Sequence, residues 1–372
     1  MRYFFSTGEA SGELSATLLA GAIGAHDSQA RFEGIGAERM REQGFTLWRD
    51  HSGWASMGPL AALPRIPKLL ATMWRTAAHV AQSTPDLVVL VDFGAFNMRL
   101  AKTLRERMHY TGPIMYLFPP ATWLDKEGVA NAVSAMTVPV TAFAHQYEFY
   151  KRLRLPIMFF GHPLRARYTA REPRGTPAPD GGTIALLPGS RAGELRYHVP
   201  ALLDAIGLLR ASRPHLQVRI SAATAQAEAM LRRAVARAKL SGVTIVRGVA
   251  AALEDADAAY VASGTAVLET VLSGVPVVAL YVITPVLARH ARRVYSGRYI
   301  TLPNLVLGRE LIPELLQDDA TPARLSAEME ALLRDPARQT AQFDAVREAL
   351  GPASALEDCA KFAVALAKAG QR

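Results

Sequence analysis

The chain has 372 residues, half of them hydrophobic, with 42 Lys and Arg against 33 Asp and Glu and a formal net charge of +9. That length suits two domains of roughly 150 to 200 residues each, the composition excludes a disordered or low-complexity protein, and the positive balance favours nucleotide phosphates or an anionic membrane face as partners. The single cysteine, Cys359, excludes an intramolecular disulfide framework and a cysteine-based zinc site, which fits a reducing cytoplasm.

No uninterrupted apolar run approaches the roughly 18 residues of a spanning helix, and the N-terminus reads as a strand and turn rather than a signal peptide. No zinc-finger or aromatic RNA-binding motif is present, so nucleic acid is not expected as a partner. A cytoplasmic protein that touches a membrane without crossing it is expected.

Tyr3 to Ser6 reads as a short strand, and T-G-E-A-S-G-E from Thr7 to Glu13 as a glycine-bearing turn into a helix. The G-x-G-x-x-G spacing of a dinucleotide loop is absent, so no such cofactor is expected. Glu9 either caps that helix or faces a cleft and handles a substrate hydroxyl. Phe32 to Ala37 and the following A-E-R-M-R-E-Q-G form a second unit.

From Trp54 to Val80 apolar and basic residues interleave. On a helix starting near Pro67, Leu70, Met73 and Ala77 share one stripe, and Lys68, Arg75 and His79 another, with Trp74 at the border. The segment from 60 to 80 is either a surface helix facing the core or an interfacial element lying on an anionic membrane. Arg289, Arg292, Arg293 and Arg298 add further positive charge for such a surface.

Asp86 to Asp92 is the clearest buried strand of this half, and Asp92-Phe93-Gly94-Ala95-Phe96-Asn97 follows at its end. A carboxylate there faces the crevice where ligands of parallel α/β sheets bind, so Asp92 is the first candidate for a general base, the alternative being a helix cap. Strands follow at Ile114 to Phe118, Met136 to Val140 and Ile157 to Phe160. The first leads into the rigid loop Pro119 to Trp123, and the last ends in Gly161-His162-Pro163, where His162 is either structural or turned to the cleft.

Arg171 to Gly182 is dense in Pro and Gly and reads as a linker. Beyond it, Thr183 to Leu187 is a strand, Pro188-Gly189-Ser190-Arg191 a glycine turn, and Leu195, Val199, Leu202, Ile206 and Leu209 mark a helix by spacings of three and four. Arg191 at the mouth of that helix carries a fork matched to a diphosphate or carboxylate. Strands at Leu216 to Ile220 and Val243 to Val246 follow.

The centre of this half is a β-turn-α-turn-β unit. Ala258 to Ala262 is a strand, Ser263-Gly264-Thr265 the turn, and Val277 to Leu280 the next strand. Free backbone N–H groups at that helix start make a phosphate seat, and Glu269, one turn beyond Thr265, is placed for two ribose hydroxyls. Helices are expected at Pro322 to Leu333, Ala337 to Leu350 and Ala355 to Ala367, the last packing back on the first domain. The fold class is therefore two doubly wound, Rossmann-like α/β domains: 1–170, a linker at 171–182, and 183–350.

The motifs G-E-A-S-G-E, D-F-G-A-F-N, F-G-H-P, L-L-P-G-S-R-x-x-E, A-S-G-T-A-x-L-E and L-P-N-L-x-x-G-R-E-x-x-x-E-L-L-Q occur in an order that resembles the lipid-A-disaccharide synthase family over nearly the whole chain. The resemblance implies the two-domain B-type glycosyltransferase architecture, with the domains facing across a cleft. It also implies transfer of a diacylglucosamine from a UDP donor to a diacylglucosamine 1-phosphate at the cytoplasmic membrane face, with inversion, release of UDP and no metal.

It implies that Ser190, Arg191, Ser263, Gly264, Thr265, Glu269, Asn304 and Gln317 hold the nucleotide, with Arg191 steadying the departing diphosphate. Glu9, Ser11, Asn97, Trp123 and His162 would lie toward a lipid-linked sugar acceptor, with Asp92 as base and Glu9 in reserve. A homodimer is left open. Two stretches depart from the family pattern: its loop reads D-x-P-D-F-N where this chain has Asp92 and then Ala95, and its S-x-W-A-W segment is replaced by P-P-A-T-W-L-D-K.

Overall fold

The structure is a computed structural model that describes residues 1–52, 54, 66–168, 175–295 and 297–371. They form two compact units, Met1–Arg167 with Leu350–Arg372, and Tyr168–Ala349.

The first unit is built on the strands β1 (Arg2–Ser6), β2 (Arg31–Gly36), β3 (Thr46–Asp50), β4 (Leu87–Val91), β5 (Ile114–Leu117), β6 (Val138–Thr141) and β7 (Met158–Phe159). All pair in parallel, in the order β3-β2-β1-β4-β5-β6-β7. Such a sheet is covered on both faces, so its strands read as continuous apolar runs, and β4 (Leu-Val-Val-Leu-Val) is buried at every position.

Successive side chains leave a strand on opposite faces. Tyr3 and Phe5 enter a core with Leu19 and Ile23 of the helix Ala10–His26 and with Cys359 and Ala363 of the C-terminal helix Ala355–Ala369. Phe4, Val88 and Leu90 enter the opposite core with Met73, Ala77 and Val80 of the helix Ile66–Ser83 and Leu100 of the helix Gly94–Glu106. Each fully buried side chain of this size contributes about 1.5–3 kcal/mol, so the C-terminal helix completes a layer that the first 167 residues leave uncovered.

The expected stripe of Leu70, Met73 and Ala77 is corrected here. Met73 and Ala77 face the core, whereas Leu70 turns outward with Ile66 and Trp74, at 40%, 41% and 45% exposure. Positions 66, 70 and 74 are four apart and form one stripe that borders the buried one. The start of the segment from 60 to 80, up to residue 65, lies outside the described residues.

The second unit repeats the plan with β8 (Thr183–Leu187), β9 (Gln217–Ala222), β10 (Val243–Arg247), β11 (Ala258–Ala262), β12 (Val277–Tyr281) and β13 (Glu314–Leu316), parallel in the order β10-β9-β8-β11-β12-β13. Leu186, Ile220, Tyr260 and Leu280 pack from one face onto the helices Ala192–Leu209 and Pro322–Arg334. The helix expected over Ala337 to Leu350 is instead two, Ala337–Thr340 and Phe343–Ala349. In the first of them the buried Gln339 bonds both backbone polar groups of Val277 through its amide.

In each sheet the strand order reverses direction once, between β1 and β4 and between β8 and β11. Tyr3 through Ser6 pair with Leu87 through Leu90, and Ala258 through Val261 with Ile184 through Leu187. The turns leaving the two paired strands therefore stand side by side at the carboxyl edge, where open α/β sheets bind ligands.

One close approach in the first sheet is specific enough to test. A Cβ on Gly34 of β2 would lie 2.0 Å from the Phe5 carbonyl oxygen of β1. Backbone cannot yield as a side chain does, so Gly34→Ala is expected to lower stability by about 3 kcal/mol in urea unfolding, and an unchanged midpoint would show that β1 and β2 are spaced otherwise.

Candidate active site

In the first unit the two switch-point turns are Thr7-Gly8-Glu9 after β1 and Asp92-Phe93-Gly94 after β4. Asp92 and Phe93 both adopt left-handed backbone, at φ of 47° and 49°. Each costs an L-residue roughly 1–2 kcal/mol, so the surroundings must hold them. Asn97 does much of this: its Nδ2 donates to the carbonyls of Asp92 (2.8 Å), Ser6 (3.2 Å) and Val91 (3.3 Å), while its Oδ1 accepts from Ser6 Oγ at 2.7 Å. Tyr116 Oη adds a second bond to the Asp92 carbonyl, at 3.0 Å. Asn97 is fully buried, so the expectation that it faces an acceptor is corrected: it fixes the turn that presents Asp92.

The Asp92 side chain keeps an exposed surface, but protein atoms crowd it, and that desolvation, with the negative charge of Glu9, pushes its carboxyl up to about 6. Glu9 occupies the N-cap position of the helix Ala10–His26 without a side-chain capping bond. Of the two readings of Glu9, the cap is thus not realised, and the carboxylate is felt at Asp92. Gly8 admits this approach, since a Cβ there would stand 2.3 Å from the Phe93 ring.

Ser11 lies in the first turn of the same helix, half-buried, its carbonyl accepting from Ser15 Oγ. The second glutamate of G-E-A-S-G-E, Glu13, is buried, and its Oε1 accepts from the backbone N–H groups of Ala37 (2.7 Å) and Met40 (3.0 Å).

The loop Pro119 to Trp123 borders the Asp92 turn, because a Cβ on Gly94 would meet Pro120 at 2.8 Å. Buried Gln146 holds that loop by bonds to the Pro119 and Pro120 carbonyls. Trp123 is half-buried and stacks on His145 at 5.7 Å between ring centroids.

His162 is buried between Phe118 and Phe143, and its Nδ1 accepts from the Leu164 N–H. Burial drives its pKa down to about 3. The structural alternative for His162 therefore holds, and the acceptor-side placement is corrected: it is a neutral core imidazole.

In the second unit the paired turns are Pro188 to Arg191 after β8 and Ser263 to Thr265 after β11. The first is capped by its own chain. Glu194 Oε2 accepts from the N–H groups of Ser190 (3.0 Å) and Arg191 (3.2 Å), and its Oε1 pairs with Arg191 Nη1 at 2.8 Å. The N–H groups of Ser190 and Arg191 thus serve a buried carboxylate, and the Arg191 guanidinium expected to meet the diphosphate is anchored by the same group.

Behind this turn the buried His198 bonds the Pro188 carbonyl through Nδ1 (2.8 Å) and accepts from the Val282 N–H through Nε2 (2.9 Å). Burial keeps that ring neutral by lowering its pKa.

The second turn is open. Gly264 at the N-cap of the helix Thr265–Leu272 is exposed, has no side-chain cap, and a Cβ built on it meets nothing within 4 Å. Ser263 Oγ donates to the Ile300 carbonyl at 3.4 Å. Glu269 is buried and accepts from Tyr168 Oη at 2.7 Å, so the place expected for ribose hydroxyls holds a phenol hydroxyl in this structure.

Two expected nucleotide residues are corrected. Asn304 is fully buried, its Oδ1 accepting from Leu311 and Ile312 N–H and its Nδ2 donating to the Ile312 carbonyl and Glu314. Gln317 spends its amide on both backbone groups of Ile283, at 2.7 and 3.0 Å. They shape the chain rather than present a group to a ligand. Among the described residues no three His, Cys, Asp or Glu side chains are grouped to hold a metal ion.

Sequence reasoning missed Glu13, Gln146, Glu194, His198 and Glu314. Three of these, Glu13, Glu194 and Glu314, stand in quoted motifs, and their spacing from a turn was the available signal.

Two doubly wound parallel-sheet units, each with its turns at its own switch point, define the class: the architecture of B-type glycosyltransferases. Solved structures share it, among them UDP-GlcNAc 2-epimerase from Neisseria meningitidis bound to UDP-GlcNAc (TM-score 0.60, 10% identity, 98% of this chain and 99% of that one) and MurG from Acinetobacter baumannii (TM-score 0.53, 15% identity, 98% and 99%). At such identities the likeness is one of fold.

The particular family comes from the sequence. The family model described as lipid-A-disaccharide synthetase matches residues 3–365, and the lipid-A-disaccharide synthase of Syntrophus aciditrophicus (strain SB) is 32% identical, covering 97% of this chain and 96% of the relative. The chain belongs to the lipid-A-disaccharide synthase family of glycosyltransferases.

The buried imidazole of His162 sets a pH test. A folded-state pKa depressed to about 3 gives stability that is present above the unfolded value of about 6.5 and lost as pH falls. His162→Gln removes the titrating group, so the stability advantage of wild type over this variant should shrink by about 1.4 kcal/mol per pH unit below 6.5 in urea titrations. A difference independent of pH would place the imidazole in solvent.

Proposed function

We propose that this chain transfers a diacylated glucosamine from its UDP donor to the 6-hydroxyl of diacylglucosamine 1-phosphate, with inversion and release of UDP. The observation that carries this reading is the family match over residues 3–365.

The donor diphosphate belongs at the open turn Ser263-Gly264-Thr265, where the positive end of the helix favours negative charge. Arg191, held in place by Glu194, and the hydroxyls of Ser263 and Thr265 supply further donors. Glu269 takes ribose hydroxyls once they displace Tyr168. In the first unit Asp92 accepts the proton of the acceptor hydroxyl as that oxygen bonds to the anomeric carbon. The bond from this carbon to the diphosphate oxygen breaks, and its electron pair leaves with UDP.

With a carboxyl pushed up to about 6, Asp92 is an unprotonated base above that pH and a better proton acceptor than an ordinary aspartate. Glu9 supplies a second negative charge beside it. One observation favours a related transferase with a different acceptor, namely Ala95 in place of the family's second aspartate next to an altered Trp123 loop.

The test is kcat/KM against pH with the UDP-diacylglucosamine donor. Wild type should rise through about 6. Asp92→Asn should lose roughly 10²- to 10⁴-fold and that limb, with UDP affinity retained. Glu9→Gln, by removing a neighbouring negative charge, should move the limb to lower pH. Full transfer by Asp92→Asn would remove Asp92 from the chemistry.

No helix among the described residues is long and apolar enough to cross a membrane. The proposal therefore includes peripheral binding at the inner face of the cell membrane, where the lipid acceptor is met. The exposed stripe Ile66, Leu70 and Trp74, flanked by exposed Lys68 and Arg75, supports it. Leu70→Glu with Trp74→Glu should stop the protein floating with anionic vesicles, while leaving its circular dichroism unchanged. Equal flotation would assign binding to another surface.

A further inference from the structure

The second unit carries a groove that the transfer reaction does not use. It runs between the helix Ala192–Leu209 and the helix Ala225–Ala238 and has a volume of about 530 Å³, within the roughly 300–1,000 Å³ of small-molecule sites. Leu195, Val199, Met230 and Leu231 form its apolar walls. Arg196, Arg233 and Arg237 also line it, all three exposed.

Neighbouring acid does not neutralise these arginines. Glu228, the one carboxylate of the helix Ala225–Ala238, is bonded by Arg232 and Arg247. No ion pair joins Arg196, Arg233 or Arg237 to a carboxylate among the described residues. An apolar trough rimmed by three guanidinium groups is complementary to a ligand with an anionic head and a hydrocarbon tail, since guanidinium forks match phosphate oxygens and the trough removes methylenes from water.

We infer that this groove is a second lipid site, taking the phosphate head and one acyl chain of an anionic phospholipid. The inference rests on the groove alone and is independent of the transferase reading.

Isothermal titration of the full chain with dihexanoyl phosphatidic acid, below its micellar concentration, tests it against dihexanoyl phosphatidylcholine and inorganic phosphate. The acid should bind, and each control should bind at least about tenfold more weakly. Arg233→Ala with Arg237→Ala should weaken the acid about tenfold, the sum expected of two exposed charge pairs. Ala234→Trp should fill the trough and abolish binding. Neither variant should change affinity for UDP.

The two variants alter different walls, so misfolding of one, seen by circular dichroism, leaves the other as the test. Phosphate binding as well as the lipid would reduce the groove to an anion patch and overturn the inference. So would equal binding of the choline lipid, binding untouched by the folded variants, or preference for an acidic amphipathic peptide over the lipid.

Discussion

The constraint on which both units depend is the parallel pairing of the two strands at which strand order reverses, β1 with β4 and β8 with β11. Strands on either side of that seam send their helices to opposite faces, so the turns above it cannot be covered by a neighbouring crossover. The residues proposed to carry the chemistry stand on such seams. In the first unit these are Glu9 beside Asp92, and in the second Arg191 beside Ser263 and Thr265.

Three carboxylates show how the turns of the two units are held. Glu13 binds the N–H groups of Ala37 and Met40, Glu194 those of Ser190 and Arg191, and Glu314 those of Ile300 and Thr301. In each case an acid sits on free backbone donors at or beside a helix start, where macrodipole and hydrogen bonding both favour it. The motifs that identify the family are therefore in part turn-fixing devices. Glu314 shows the reach of this, since it also bonds Asn304 and Thr301 and so fixes the segment whose Ile300 carbonyl meets Ser263.

The fold was legible because buried parallel strands are apolar at every position and amphipathic helices are periodic. β4, β8, β11 and the helix Ala192–Leu209 are cases in point. β3 and β13 escaped notice, one being exposed at both ends and half-buried between, and the other only three residues long.

The polar residues were harder to read, because the partner of a polar side chain is set by tertiary contact. Asn97 meets Ser6 across 91 positions and Glu269 meets Tyr168 across 101. Sequence places such residues near a turn but does not say whether they face the ligand or the backbone. For Asn97, Asn304 and Gln317 the backbone prevailed, because burying an amide with unmet bonds costs about 1–3 kcal/mol.

Ala95 gains its meaning from the same geometry. Substitution of the family's second aspartate removes a carboxylate from the first turn of the helix Gly94–Glu106, a place where a negative charge is favoured by the helix. It leaves the carboxylates of Asp92 and Glu9, contributed by different strands and joined only at the seam. Desolvation, with the negative charge of Glu9 as the lesser cause, pushes the Asp92 carboxyl up to about 6. Under the proposed reading, one substitution at position 95 leaves this pair in place, because the turn after β1, and not the altered helix, supplies its second member.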